Sequence, residues 1–390
     1  MSFDPRNMKN LLLSLLLLIT YLPATAQDWK DLPVPVDLGP GKVWEIQPHS
    51  DNFNYNAPAD NKGAEFFSKW TDFYHNAWTG PGLTVWDRNH VLVKDGQLQI
   101  PASRQGTNKI STGCITSRQR VVYPVYIEAR AKLSNSVLAS DVWLLSPDDT
   151  QEIDILEAYG ASWSEGAQKD QTWFAERIHL SHHVFIRNPF QDYQPTDPGS
   201  WYYNGTLWRQ DYHRYGVYWR DPWHLEYYID GKLVRTVSGK QIIDPLNYTS
   251  GTGLNKEMDI IINVEDQTWR SNQGITPTDG ELANRDNHTF RVDWIRVYKP
   301  VNEVVTSTAQ NPDLELVRIF PNPAAHRLDI ECRNPMDTVQ LLSPTGQLLR
   351  TIDTHERKLT LPVQDLPPGT YLIRIKTTQQ EEFTRKVIIQ

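Results

Sequence analysis

The sequence has few cysteines, no excess of basic charge and no helical periodicity. Only Cys114 and Cys332 occur among its 390 residues, so there is neither a disulfide framework nor a Cys/His cluster with metal-site spacing. Acidic residues outnumber basic residues by 47 to 39, which argues against a nucleic-acid-binding protein, because such proteins present a basic face. Without these supports, the fold must be stabilised by a hydrophobic core.

The one long apolar segment lies at the N-terminus. Arg6 and Lys9 precede the run LLLSLLLLIT, and residues 24–26 (ATA) form the small-residue pattern of a signal-peptidase site. The run is shorter than the ~20 apolar residues that a spanning helix needs, and no later segment is long enough. We therefore expect residues 1–26 to be a secretory signal peptide. The mature chain would begin at Gln27, without a membrane span.

Short β-type segments fill the chain from about Asp28 to Pro300. Runs such as VYIEARAKL, RYGVYW and FRVDWIRVY alternate or are rich in β-branched and aromatic residues, with turn residues between them. The segment EYYIDGKLVRTV predicts a hairpin, because Asp230-Gly231 suits a type I′ turn. This many short strands predicts an all-β domain over residues 27–300, built as a β-sandwich or jelly roll.

A polar segment, residues 301–315, separates this region from a β-rich module at residues 316–390. The two cysteines lie on opposite sides of the segment, so we expect no disulfide between them. By its residues alone, the module is a small immunoglobulin-like β-sandwich, for which carbohydrate binding is one alternative. It contains no tryptophan to stack on a sugar, which disfavours that alternative.

Three carboxylates lie close together in the segment TQEIDILEAYG. Glu152 and Asp154 share a strand face because side chains alternate with period two, whereas Glu157 is out of phase. A β-bulge between Asp154 and Glu157 would place all three acids on one face and leave the apolar residues between them in the core. Two carboxylates about 5–5.5 Å apart suit a retaining glycosidase, and their repulsion would raise the pKa of the proton donor. A charged strand facing solvent is the alternative.

The segment EIDILE resembles the catalytic signature of glycoside hydrolase family 16 in its bulged form. The segments YGVYWRDPWHLEYYIDGKLVRT and MDIIINVEDQ are similar to later strands of that family's jelly roll, so the resemblance covers about residues 40–299. It implies that Glu152 is the nucleophile, Glu157 the acid/base and Asp154 an assisting acid. It implies no cofactor for catalysis. A structural calcium ion, known in relatives, leaves no signature here because its ligands are often backbone carbonyls.

The segments NAWTGPGLTVWDRNHV and HLSHHVFIRNPFQDYQP resemble the β-agarase branch of the family. This implies an endo-acting retaining enzyme that cleaves the β-1,4 bonds of agar. The implied sugar platforms and hydrogen-bonding groups are Asn76, Trp78, Trp143, His183, Arg187, Glu265 and Trp269. Purely structural roles for these side chains are the alternative, since most of the fourteen tryptophans in the chain are expected to be packing residues.

Two other functions remain open at this point. The first is a family 16 hydrolase of porphyran, carrageenan or β-glucan. An enzyme that acts on the sulfated polysaccharides, porphyran and carrageenan, would need basic side chains such as Arg187 to bind the sulfate groups. The second is a non-catalytic polysaccharide-binding protein, because a fold does not fix a function. Retention of two mutually repelling carboxylates, Glu152 and Glu157, disfavours the second.

The C-terminal segments VRIFPNPAAHRLDIE, LPPGTYLIRI and RKVIIQ resemble the C-terminal sorting domain of the type IX secretion system of Bacteroidetes. This implies that residues 316–390 are recognised by the secretion machinery and that the protein is exported across the outer membrane. The expected partners are therefore an agar-type galactan and the secretion machinery. We expect the secreted protein to be a monomer.

Overall fold

The chain folds into two compact units, Met1–Val301 and Asn302–Gln390, each with its own hydrophobic core. The computed structural model describes residues 32–303, 316–343 and 346–390. The predicted signal peptide and most of the predicted linker lie outside these residues. Among the described residues, the helices are all too short or too polar to cross a membrane.

The first unit consists mainly of strands, with a few short helices between them. In chain order, strands β1 to β11 span Lys42–Ile46, Trp70–Thr71, Thr84–Trp86, Leu92–Lys94, Gln97–Ile100, Ala102–Gln105, Lys109–Thr112, Cys114–Ser117, Val125–Lys132, Ala139–Leu145 and Gln151–Tyr159. Strands β12 to β21 span Trp163–Ser164, Lys169–Asp170, Arg177–Arg187, Phe190–Tyr193, Trp201–Tyr203, His213–Asp221, His224–Ile229, Lys232–Ser238, Asp259–Glu265 and Phe290–Asn302. Helices α1 to α5 span Gly63–Lys69, Thr172–Ala175, Lys240–Ile243, Thr268–Ser271 and Asp279–Leu282.

Two eight-stranded sheets form the sandwich of this unit. The β9 sheet has the order β19–β18–β17–β9–β21–β5–β4, with β1 paired to β21. The β11 sheet has the order β15–β14–β11–β10–β20–β8–β2, with β16 paired to β14. Neighbouring strands along both paths are antiparallel. The prediction of an all-β jelly roll is confirmed.

The core of the first unit is formed by the inward faces of both sheets. Val125, Ile127 and Ala129 of β9 have no exposed surface, and neither do Ile260 and Ile262 of β20. These residues alternate along their strands, as a period of two requires. Each fully buried valine or isoleucine side chain contributes ~1.5–3 kcal/mol to folding. One face of the β11 sheet therefore packs in the core, and the opposite face is available to form a functional site.

The predicted hairpin joins β18 and β19. Asp230 and Gly231 both have positive φ, 50° and 77°, as a type I′ turn requires. The backbone N–H of Arg214 donates to Asp230 Oδ1 over 2.9 Å, and His213 Nδ1 lies 2.8 Å from Asp230 Oδ2. The turn prediction is confirmed, and the turn is tied to the adjacent strand β17.

The second unit is a small β-sandwich, as predicted. Its strands β22 to β28 span Val317–Phe320, Arg327–Cys332, Met336–Leu342, Leu348–Asp353, Lys358–Pro362, Gly369–Thr377 and Glu382–Ile389. They form a three-stranded sheet, β22–β23–β26, and a four-stranded sheet, β25–β24–β27–β28, around buried residues such as Leu328 and Ile373. Cys114 and Cys332 are buried free thiols in separate units.

Candidate active site

The bulge predicted in β11 is present. Against β14, Asp154 pairs with Ser181 and Glu157 pairs with His179. Three steps along β11 therefore match two steps along β14, and the extra residue restores the phase of Glu157. The bulge prediction, made from the spacing of the acids, is confirmed.

The bulge divides β11 into a core face and a cavity face. The apolar residues beside and between the acids are fully buried in the core. The side chains of Glu152, Asp154 and Glu157 are 17%, 8% and 19% exposed, respectively. All three line a cavity of about 1080 Å³. The strand thus presents a row of acids to a space large enough for several sugar units.

The structure brings every predicted site residue to this cavity. Besides the three acids, the lining includes Asn76, Trp78, Trp143, His183, Arg187, Glu265 and Trp269. Trp143 lies opposite Asp154 on the neighbouring strand β10, where the sequence places it. Trp78 and Trp269 are 44% and 43% exposed, so their rings are free to stack on a ligand.

Glu152 lies beside a histidine cation. His183 Nε2 is 3.9 Å from Glu152 Oε1 and 3.7 Å from Asp154 Oδ2, while its Nδ1 is 2.8 Å from Asp192 Oδ1. Burial opposes the charged ring, but the carboxylates, Glu152 foremost, outweigh it and raise the pKa of His183 to about 10. Burial and the charge of Asp154 raise the pKa of Glu152 well above its usual value. Glu152 and Asp154, which are joined by a hydrogen bond, therefore compete for one proton.

Glu157 has the opposite surroundings. Tyr159 Oη donates to Glu157 Oε1 over 2.6 Å, and His179 Nδ1 lies 2.6 Å from Glu157 Oε2. Burial alone would raise the pKa of Glu157, but the charge and hydrogen bond of His179 outweigh it and hold that pKa at about 2. The prediction that repulsion raises the pKa of the proton donor is therefore wrong for the free protein. The hydrogen-bonded histidine beside Glu157 outweighs the more distant acids.

A buried amide connects the platform of Trp143 to two further acids. Trp143 Nε1 donates to Asn263 Oδ1 over 2.6 Å, and Asn263 Nδ2 donates to Asp141 Oδ2 over 2.8 Å and to Glu265 Oε2 over 3.1 Å. Burial, followed by the charge of Glu157, raises the pKa of Glu265 to about 8. Asn263 therefore fixes the ring plane of Trp143 and the position of Glu265 together.

The side chain of Asn76 is held at the Glu152 end of the cavity. Asn76 Nδ2 donates to Asp149 Oδ2 over 2.9 Å. His75 lies between two carboxylates, with Nε2 2.8 Å from Asp149 Oδ1 and Nδ1 3.0 Å from Asp259 Oδ2. Burial disfavours charge on this ring, but hydrogen bonds to Asp259 and Asp149 outweigh it and raise the pKa of His75. The ring therefore fixes the acid that orients Asn76.

Several lining residues were not predicted from the sequence: Tyr74, Asp141, Asp149, His179, Phe185, Phe190, Asp192 and Trp201. Two of them could have been predicted from their spacing to a predicted site residue on the same strand. Asp141 precedes Trp143 by two residues and His179 precedes His183 by four, so each shares a strand face with a predicted residue. Trp201 could not have been predicted in this way, because only the pairing of β16 with β14 brings it into the cavity.

Two groups of three side chains in the described part of the chain could hold a cation. They are Glu152, Asp154 and His183, and Asp154, Glu157 and His179, each with ligand atoms within 4.8 Å of one another. Both groups consist of the acids of β11 and their histidine neighbours. A cation bound there would occupy the space between the carboxylates, where the reacting atoms of a substrate would lie.

Comparisons with known proteins identify the family. Residues 44–300 match the family described as Beta-porphyranase A-D, GH16 domain, where GH16 denotes glycoside hydrolase family 16. Residues 318–390 match the family described as Secretion system C-terminal sorting domain. A protein with this tail is secreted, which agrees with the predicted export.

Curated relatives and a solved structure cover the same region. Beta-agarase B of Zobellia galactanivorans is 65% identical over 295 residues, which is 71% of this chain and 84% of that protein. Beta-agarase of Phocaeicola plebeius is 60% identical over 293 residues, which is 71% of this chain and 91% of that protein. A crystal structure of inactivated mutant beta-agarase B in complex with agaro-octaose has a TM-score of 0.70 at 65% identity, covering 71% of this chain and 100% of that one. The chain therefore belongs to glycoside hydrolase family 16 and carries a secretion-system C-terminal sorting domain.

Proposed function

We propose that this protein is a secreted, endo-acting β-agarase that hydrolyses the β-1,4-galactosidic bonds of agarose with retention of configuration. The observation that carries the proposal is the row of Glu152, Asp154 and Glu157 on the cavity face of one bulged strand. Relatives that are 65% and 60% identical are named as β-agarases, and one was crystallised with agaro-octaose. These names favour agarose among the substrates of the family.

In the first step, Glu152 attacks the anomeric carbon and forms a galactosyl-enzyme intermediate. Burial and the charge of Asp154 raise the pKa of Glu152 in the free protein, so the proton that the pair shares must lie on Asp154 at the moment of attack, where the hydrogen bond between the two acids orients the ionised Glu152. The cation of His183, 3.9 Å from Glu152 Oε1, further favours the ionised form. These groups need no cofactor for the attack.

The proton for the leaving oxygen comes from the pair of Glu157 and His179. His179 Nδ1 lies in a 2.6 Å contact with Glu157 Oε2. A proton that is shared across this contact and held on Glu157 can pass to the leaving oxygen. In the second step Glu157 accepts a proton from water, which attacks the intermediate and releases the sugar. The low pKa of Glu157 in the free protein is therefore compatible with its role.

Trp78, Trp143 and Trp269 are proposed to stack on sugar rings, while Asn76, His183, Arg187 and Glu265 hydrogen-bond hydroxyl groups. One observation within the cavity bears on sulfated substrates: the guanidinium carbon of Arg187 lies 5.5 Å from the centre of the Phe190 ring. Stacking of this kind orients an arginine for hydroxyl or sulfate oxygens alike. A porphyran hydrolase is therefore the second candidate, consistent with the name of the matching family.

Substrate choice is tested by measuring the release of reducing sugar from agarose, porphyran, carrageenan and laminarin in parallel. We expect agarose to be cleaved fastest and the new reducing ends to have the β-configuration by NMR. A faster rate on porphyran would support the second candidate. Inversion at the new reducing end would contradict a covalent intermediate.

The roles of the acids are tested with Glu152→Gln and Glu157→Gln. Each should lower kcat by about 10²–10⁴-fold or more, because an essential acid or nucleophile is lost without a change of shape. Asp154→Asn should cost less. Glu226 is a matched control, because it also has a histidine nitrogen at 2.8 Å and a tyrosine hydroxyl at 2.5 Å, on the β9 sheet. Glu226→Gln should leave kcat unchanged.

A non-catalytic binding protein would give a different result in the same assays. It would bind agarose without releasing reducing sugar, and Glu152→Gln would not alter its behaviour. We further propose that the enzyme acts as a monomer, because all the site residues lie in one unit of a single chain. Light scattering of the purified protein measures this directly, and a stable dimer mass would contradict it.

A further inference from the structure

We propose that a ridge beyond Glu157 is a further binding site for the leaving half of the galactan chain, and that Arg177 in this ridge accepts an anionic substituent such as a sulfate ester. The ridge, called the aglycone ridge here, consists of Trp173, Arg177, Trp201 and Tyr203. The inference rests on the proposed function, because it takes Glu157 as the group that protonates the leaving oxygen.

The register of β14 places Arg177 on the cavity face. Glu152 pairs with His183 and Glu157 pairs with His179, so moving from His183 to His179 along β14 follows the row of acids. Arg177 lies two residues beyond His179 in the same direction. It therefore shares the face of His179 and lies ~6.6 Å further along the strand.

Strand β16 supplies the rest of the ridge. Trp201 pairs with His179, and Tyr203 pairs with Arg177. Because Trp201 and Tyr203 are also two residues apart, both side chains lie on this same face. The same face of β16 and β14 therefore continues beyond the cavity lining, which on β16 ends at Trp201, to the pair of Tyr203 and Arg177.

The side chains of the ridge form a continuous series of ring contacts. The rings of His179 and Trp201 are stacked at 4.2 Å with an angle of 17°, and Trp173 lies 5.3 Å from Trp201. The guanidinium carbon of Arg177 lies 4.4 Å from the centre of the Trp173 ring and 4.3 Å from that of Tyr203. The series thus leads from the partner of Glu157 out to the surface.

The outer rings of the ridge are open to solvent. Trp173 is 46% exposed and Tyr203 is 52% exposed, so each offers an aromatic surface for a sugar ring. The direction of the chain follows from the chemistry. A proton passes from Glu157 to the leaving oxygen, so the leaving half of the substrate begins at Glu157 and extends away from Glu152. The aglycone ridge lies on that side.

The charge distribution indicates where an anionic substituent of the substrate would bind. The centre of the cavity carries the negative charge of Glu157 and the charge that Glu152 and Asp154 share, which repel an anionic group. Arg177 has no ion pair within the described residues, and Nη1 donates to the carbonyl oxygen of Trp173 over 2.9 Å. Its plane is held between two rings, which leaves guanidinium edges to form paired hydrogen bonds with a sulfate.

The first test compares substrates of different length with the full chain. Trp173→Ala should lower kcat/KM on long agarose chains by about 3- to 10-fold, the effect expected for one lost stacking contact. It should leave kcat/KM unchanged on the shortest oligosaccharide that the enzyme cleaves, because that substrate does not reach the ridge. Trp163→Ala removes a tryptophan that is 44% exposed outside the cavity lining and is the matched control.

The second test compares neutral agarose with sulfated agarose of the same length. Arg177→Gln should lower kcat/KM on the sulfated substrate several-fold more than on the neutral one. In products of the wild-type enzyme, mass spectrometry should find sulfate enriched near the new non-reducing end, where the leaving half begins. Arg220→Gln, at an exposed arginine of the β9 sheet, is the charge control.

The outcomes separate this inference from the proposed function. Absence of agarose cleavage by the wild-type enzyme would contradict the proposed function itself. Normal cleavage, with ridge variants matching the wild type on every length and on both substrates, would overturn the aglycone ridge alone. If Trp173→Ala fails to fold, Tyr203→Ala provides the same length test, because Tyr203 is the other exposed ring.

Discussion

The two glutamates of the active site differ because each has a different histidine at a different distance. His179 lies 2.6 Å from Glu157, whereas His183 lies 3.9 Å from Glu152. A short hydrogen bond stabilises an ionised carboxylate more than a longer charge contact does. The backbone register of β14 against β11 therefore sets the protonation of both acids.

His183 makes stability depend on pH in a direction that can be tested. Its pKa is about 10 in the folded protein and 6.5 as the ordinary value, with Glu152 the leading cause of the increase over the opposing effect of burial. Protonation of His183 therefore stabilises the fold fully below about pH 6.5, and this stabilisation is lost as the pH rises through about 10. The difference in free energy of unfolding between the wild type and His183→Gln should shrink from pH 6 to pH 10. A urea titration at several pH values measures it.

His213→Gln is the control for this titration, because His213 also contacts a carboxylate, that of Asp230, but on the β9 sheet. A difference for His183→Gln that stays constant or grows with pH would contradict the proposed charge on His183.

Trp143 tests whether a cavity tryptophan is a platform or a core residue. We expect Trp143→Ala to lower kcat/KM on agarose with a small loss of stability, because one side of the ring faces the cavity. Trp219, which has no exposed surface, is the comparison. Trp219→Ala should lose ~3–5 kcal/mol of stability. An equal fall in melting temperature for both variants would make Trp143 a core residue.

At the scale of strands, the sequence predicted what depends on local spacing. The bulge followed from the positions of Asp154 and Glu157, and the hairpin from Asp230-Gly231, because phase and positive φ are properties of a few consecutive residues. Trp201 was missed because its place in the cavity comes from pairing with His179, twenty-two positions earlier in the sequence. Such pairing depends on long-range packing, which a single sequence pattern does not reveal.

The turn between β18 and β19 should affect stability without affecting catalysis. Gly231→Val places a β-branched residue at φ 77°, where a side chain costs roughly 1–2 kcal/mol, and its Cβ would lie 3.0 Å from Arg214 Nη2. We expect the melting temperature to fall by roughly 2–4 °C or more. The value of kcat/KM should not change, because the turn belongs to the β9 sheet.

Lys232→Val, at the first residue of β19, is the control for Gly231→Val, because valine suits a strand and no positive φ is required there. A loss of activity at unchanged stability would show that the hairpin communicates with the cavity.

At the scale of the molecule, the chain separates catalysis from export. The cavity residues all lie in the first unit, and the segment that matches the sorting family lies in the second. Each unit has its own core, so each can fold without the other's side chains.

A chain that ends at Asn302, the last residue of β21, should fold and cleave agarose with unchanged kcat and KM. In the native host, the same chain should remain in the periplasm, because the sorting domain is missing. Enzyme assays on the purified short chain and on cell fractions measure these outcomes. Loss of binding to insoluble agarose, with export unaffected, would instead make the second unit a carbohydrate-binding domain.

Placing Glu152, Asp154 and Glu157 on one strand has a consequence for protein engineering. Their spacing depends on the covalent geometry and pairing of nine residues in the middle of a sheet, and the exposed Trp78 and Trp269 lie outside that strand. Mild heating or exchange of loops should therefore alter the preference for one polysaccharide over another at conditions where the cleavage reaction itself is unchanged. Libraries that vary the segments around Trp78 and Trp269 while keeping β11, β14 and β10 intact should yield hydrolases with altered substrate range and unaltered stereochemistry.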